Sequence, residues 1–91
     1  SQPYYSMAAE LIQDSGPARQ VLGEPIRVGD VDVGSKFTSI GAQHANITVG
    51  VRGSRDTGTM YVHAVRDLPL GPWSIDQLNL AAKSVPGQLL R

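Results

Sequence analysis

The sequence predicts an α+β domain: an N-terminal helix and a short second helix packed on a twisted antiparallel β-sheet. Three observations lead there. The first apolar residues recur at helical spacing, the pattern changes to period two beyond Gly29, and clusters of turn-forming residues separate the period-two runs.

Tyr4, Met7, Ala8, Leu11 and Ile12 fall at i, i+3, i+4, i+7 and i+8, the stripe with which a helix buries one side, so residues 3–14 are read as helix. Pro3 suits a first turn because its missing N–H has no partner to lose there, and Gly16-Pro17 stops the element. Pro17 opens a second helix over 17–22, capped near Ser15 or Gly16, with Ala18, Val21 and Leu22 on its apolar edge and Gly23 closing it. Burial of Leu11, Ile12 and Leu22, at about 1.5–3 kcal/mol each, would dock these helices on the sheet.

Pro25 disfavours helix at Glu24, so the chain leaves this corner extended, and residues 25–80 read as mainly β. Ile26 and Val28 begin the first strand. Val31 and Val33, the run Phe37–Ala42, then Ala45, Ile47, Val49 and Val51, then Met60, Val62 and Ala64, and finally Trp73 and Ile75 with Leu78 and Leu80 carry the alternation onward. The breaks are expected at Gly34-Ser35, at Gln43-His44, over Gly53–Gly58 and over Asp67–Pro72, with a Pro-Gly turn at 86–87 near the end.

At 91 residues the chain is expected to be a single soluble domain spanning 1–91. Its 41% hydrophobic content is that of a globular chain, and the core is thin because a domain of this size hides only about 60–65% of its unfolded surface. Eight Lys and Arg balance eight Asp and Glu without a run of either sign, which argues against nucleic acid as a partner. With no cysteine, disulfides and thiolate chemistry drop out. No window approaches the ~18 apolar residues of a membrane span. The start at Ser1 suggests a form from which a leader or anchor helix has been removed.

The stretch Gly53-Ser54-Arg55-Asp56-Thr57-Gly58-Thr59 begins like a phosphate loop. Thr59 stands where the Walker lysine belongs, and the residues after Gly58 favour a strand over the required helix, so the stretch reads as a hairpin connection. Ser54 and Thr57 beside Asp56 lack a histidine and a nucleophile elbow, and their hydroxyls are expected to bond the turn's own backbone. His44 and His63 have no carboxylate or second histidine at metal spacing in the sequence. A zinc site built from them would need Asp or Glu brought from elsewhere by the fold. His44 is placed in a turn and His63 on a strand with its polar tip wet. Asp30 and Asp32 read as the solvated face of an edge strand, having no calcium-loop pattern after them. Asn46-Ile47-Thr48 matches a glycosylation triplet but lies inside a predicted strand. Trp73 either caps the core or anchors a partner. No catalytic, cofactor-binding or metal residue is assigned.

In order, "YYSMAAELIQDSGPARQVLGEPI", "ITVGVRGSRDTGTMYVHAVRD" and "GPWSIDQLNL" resemble the cytochrome c oxidase assembly factor 1 family of mitochondria, whose soluble domain is related to that of the Tim-twenty-one subunit of the presequence translocase. The resemblance covers about residues 4–80. It is carried by Tyr4-Tyr5 ahead of the helix, by Leu22-Gly23-x-Pro25, by Val51-x-Gly53 leading to Gly58-x-Met60-Tyr61-Val62-His63, and by Trp73-x-Ile75 followed by Leu78.

The resemblance implies a non-enzymatic factor anchored in the mitochondrial inner membrane by one N-terminal helix, its domain facing the intermembrane space. Such a factor holds newly made subunits of cytochrome oxidase, and in animals also of complex I, by protein–protein contacts. Similar bacterial domains leave an envelope location as an alternative. A sheet edge accepting a partner strand needs no reactive group, and a mixed surface including Arg52, Arg66 and Trp73 is the candidate contact. Two other readings stand beside this one. A presequence-translocase adaptor binding basic peptides would use Glu10, Asp14, Glu24, Asp30 and Asp32, and a small α+β enzyme or ligand-binding domain would need an enclosed polar pocket near His44 or His63.

Overall fold

The computed structural model describes residues 3–85 as two helices and five strands: α1 (Pro3–Asp14), α2 (Gly16–Leu22), β1 (Arg27–Val31), β2 (Ser39–Ile40), β3 (His44–Arg52), β4 (Thr57–Val65) and β5 (Ser74–Ala82). The expected turn at 86–87 lies outside the described residues. All strand pairs are antiparallel, in the order β1-β3-β4-β5, with β2 sharing β3's outer side with β1. The architecture is the predicted α+β fold, both helices lying on one face of the sheet.

Period-two patterning settles which face that is. Ala45, Ile47, Val49 and Val51 of β3, Met60, Val62 and Ala64 of β4, and Leu80 and Ala82 of β5 are buried against Tyr4, Ala8, Ile12, Ala18, Leu22 and Ile26. The alternate residues form an open face that no helix among the described residues covers.

The helix α1 buries Tyr4, Ala8 and Ile12, whereas Leu11 is 51% exposed, against its expected burial. The cause is a roll about the helix axis. Tyr5 Oη donates to the Gly29 carbonyl at 2.6 Å and Gln13 Nε2 to that of Ile26 at 3.2 Å, drawing the Tyr5 flank onto β1 and turning the Leu11 flank to solvent. The second helix begins as expected with Ser15, whose Oγ accepts from the Ala18 N–H at 3.3 Å. It ends at Gly23, whose φ of +81° favours a residue without a Cβ.

A continuous strand over Phe37–Ala42 does not form; only Ser39 and Ile40 pair, with Asn46 and Ala45. Asp32–Thr38 closes on itself instead. Ser35 N–H donates to Asp32 O at 3.2 Å, Thr38 N–H to Ser35 O at 3.1 Å, and Thr38 Oγ1 to Asp32 O at 2.7 Å. These turns leave Val33 82% and Phe37 56% exposed, outside the core the alternation predicted. His44, expected in a turn, is the first residue of β3 because the break is complete by Gln43.

The stretch Gly53–Asp56 joins β3 to β4. Three of its N–H groups, which a phosphate loop would leave free, go to the end of α2: Arg55 and Asp56 donate to Leu22 O at 2.7 and 3.1 Å, and Ser54 to Gly23 O at 3.3 Å, while the Gly53 N–H donates to Asp56 O at 2.8 Å. The turn is held further by the Asp56 carboxylate, which accepts from the Thr57 N–H at 2.8 Å and from the Ser84 N–H at 3.0 Å. The expected bonds from the Ser54 and Thr57 hydroxyls do not occur among the described residues.

Candidate protein-binding surface

Strand register builds the open face row by row. Asn46 lies opposite His63, which lies opposite Gln77; Thr48 lies opposite Tyr61, which lies opposite Asn79. Phe37 leans in from the β1–β2 segment, its ring edge-on to Tyr61 with centroids 5.8 Å apart. Phe37, Asn46, Tyr61, His63, Gln77 and Asn79 border a hollow of about 460 Å³ that is open to solvent. Amides and two aromatic rings around an open hollow suit main-chain and side-chain contacts with another polypeptide better than enclosure of a small substrate.

The two ends of the sheet differ. Where β3 ends, Arg52 stands directly opposite Arg27, both exposed, above a floor that includes Gly29 and Gly50. Two like charges opposed across strands repel, and the described residues offer neither a carboxylate within ion-pair distance. An acidic group on a partner would relieve that repulsion.

Where β3 begins, Arg66 stacks over Trp73 with its guanidinium carbon 4.4 Å from the ring centroid, and its Nε donates to Ala42 O at 2.6 Å. Trp73 meets Tyr4 edge-on, centroids 4.9 Å apart, and is half-buried against the core. Burial raises the Tyr4 hydroxyl above its ordinary pKa, with nearby Arg66 pulling the other way. Arg66 and Trp73 therefore form one unit, while Arg52 sits at the opposite end of a nine-residue strand, about 27 Å away at strand spacing. The three candidate residues thus lie in two separate places.

One edge of the sheet is β5. Lys83 N–H donates to Thr57 O at 2.9 Å, so alternate residues Ala81, Asn79 and Gln77 face β4, and the backbone N–H groups of Leu78, Leu80 and Ala82 point outward. Among the described residues no strand lies beyond it.

The two histidines, separate in sequence, meet in the fold. His44 Nδ1 lies 3.5 Å from His63 Nε2, the rings inclined by 13°, and His63 Nδ1 lies 2.9 Å from Asp76 Oδ2. One signal for the first contact was present: with Arg52 facing Thr57 across the turn, counting outward puts Asn46 opposite His63 and His44 two residues beyond. The second had none, because it depends on a bulge in β5 at Asp76 that no residue type announces. The row is exposed, and among the described residues no hydroxyl is hydrogen-bonded to either histidine, as the nucleophile of a hydrolytic triad would be. Asp30 is exposed on outer strand β1, and the Asp32 carboxylate accepts from the Gly34 N–H at 3.1 Å. Glu24 borders a hollow with Arg19 and Arg55.

No helix among the described residues is long and apolar enough to cross a membrane. The family model described as cytochrome oxidase complex assembly protein 1 matches residues 1–88. A human protein named cytochrome c oxidase assembly factor 1 homolog is 29% identical over 80 residues, covering 88% of this chain and 55% of the relative. The chain thus spans about half the length of the curated relative it matches. No solved structure matches.

Proposed function

The chain belongs to the cytochrome oxidase complex assembly protein 1 family, and from that premise we propose that it is a non-enzymatic domain holding newly made respiratory-complex subunits through protein–protein contacts. The match over residues 1–88 carries this reading. Cytochrome c oxidase subunits are the clients, with complex I subunits a further class. The domain works at the mitochondrial inner membrane, facing the intermembrane space.

The geometry supports the reading in two ways. The outward N–H groups of β5 offer main-chain hydrogen bonds to an extended client segment. Selectivity comes from the open face, where Arg52 and Arg27 meet client carboxylates, and from the Arg66–Trp73 unit at the helix-side rim, which meets a mixed surface. Crosslinking followed by mass spectrometry on the full-length protein in its own organelle tests the proposal. Respiratory-chain subunits crosslinked to β5 and the open face are expected; recovery of metabolic enzymes alone would overturn it.

A further inference from the structure

Side chains from three strands form a row on the open face: His44 from β3, His63 from β4 and Asp76 from β5. We propose that His44 and His63 together bind zinc(II), or a divalent cation of similar softness, with Asp76 as the positioning residue behind His63.

The hydrogen bond between Asp76 and His63 fixes which ring nitrogen is free. An ionised carboxylate only accepts, so at 2.9 Å from Asp76 Oδ2 the His63 Nδ1 carries the proton. In the neutral ring Nε2 then holds a lone pair, and this atom faces His44 Nδ1 at 3.5 Å. That separation is long for a hydrogen bond but suits two ligands of one ion. With Zn–N bonds of about 2.0–2.1 Å, nitrogens 3.5 Å apart subtend about 113–122° at the metal, close to a tetrahedral opening.

The carboxylate behind the ring follows the arrangement in which a carboxylate orients a metal-binding histidine and raises its basicity. The fold provides it by a specific device. The register of β4 with β5 shifts between His63 and Ala64, so that Gln77 pairs with His63 and Ile75 with Ala64 while Asp76 is the extra residue. A bulge of this kind re-aims a side chain, here beside the His63 ring.

Imidazole nitrogens select zinc and its transition-metal neighbours over magnesium and calcium, which take oxygen. Among the described residues no group of three or more His, Cys, Asp or Glu could hold a metal ion, so two histidines are the whole protein contribution and water or a partner's donor completes the shell. This inference does not rest on the assembly-factor reading.

Titrating the full chain with zinc sulfate at neutral pH, followed by calorimetry and by amide NMR, tests it. One ion per chain is expected, with shift changes centred on His44 and His63, and none with magnesium. H44A and H63A should each weaken binding tenfold or more, with His44→Asn as a second variant at that exposed position. Asp76→Asn should weaken it about tenfold while keeping one ion per chain. No saturable change up to millimolar zinc would overturn the proposal. So would unchanged affinity in the histidine variants, which would place the ion elsewhere.

Discussion

The backbone N–H of Arg55 donates to the Leu22 carbonyl at 2.7 Å, so the β3–β4 turn and the end of α2 form a single joint. Gly53 and Gly23 make that approach possible. A Cβ on Gly53 would run into the Leu22 and Gly23 carbonyl oxygens, and one on Gly23 would meet Arg55 N at 2.9 Å in a backbone already at positive φ. Gly53→Ala should therefore lower stability by about 1–3 kcal/mol, as overpacking typically does. A urea midpoint equal to that of the wild type would show that the joint yields.

Leu11 and Ile12 are neighbours in sequence with opposite environments. Ile12→Ala should cost about 2–5 kcal/mol, because it empties a packed position 2% exposed. Leu11→Ala should stay within about 0.5 kcal/mol. Equal losses in urea unfolding would place both under the helix and contradict the roll set by Tyr5 and Gln13.

Tyr4 Oη and Thr48 Oγ1 are both buried with no hydrogen-bond partner among the described residues. Removing an unsatisfied hydroxyl while keeping the shape should be neutral or stabilising, by about 0–2 kcal/mol. Tyr4→Phe and Thr48→Val are expected to raise the thermal midpoint or leave it unchanged. A marked drop in either would mean that the hydroxyl is bonded in solution.

Asp56 supplies a pH dependence of definite sign. Hydrogen bonds from the Ser84 hydroxyl and backbone, and then from Thr57, hold its carboxyl below the ordinary value of 3.8. Its stabilising contribution is present above that ordinary value and fades as pH falls through the lower folded-state value. Urea midpoints measured from pH 5 down to pH 2 should fall less steeply in Asp56→Asn than in the wild type. Parallel curves would remove Asp56 from the acid response.

Reading the sequence recovered the elements whose cause is local. The 3.6-residue stripe of α1, the Ser15 and Gly23 caps of α2 and the alternation of β3 and β4 all formed where their residues dictate. What it missed depended on competition between distant groups. Alternation over Phe37–Ala42 lost to the turns that close Asp32–Thr38, and Leu11 lost its place to a tyrosine hydroxyl reaching another element. Of the candidate residues, Arg66 and Trp73 meet because β4 and β5 are paired neighbours, whereas Arg52 closes β3 at the far end. The histidine row needed both a hairpin register and a bulge.

The central claim is most directly tested by capturing newly made, pulse-labelled cytochrome oxidase subunits on the tagged full-length protein, comparing Leu78→Pro with Leu78→Ala. Both variants lose the same half-buried side chain, and only proline removes an outward N–H from the β5 edge. Labelled subunits should be recovered with the wild type and Leu78→Ala and lost with a folded Leu78→Pro. Equal recovery on both variants would rule out the β5 edge, and the absence of oxidase subunits from all three would contradict the assembly role itself.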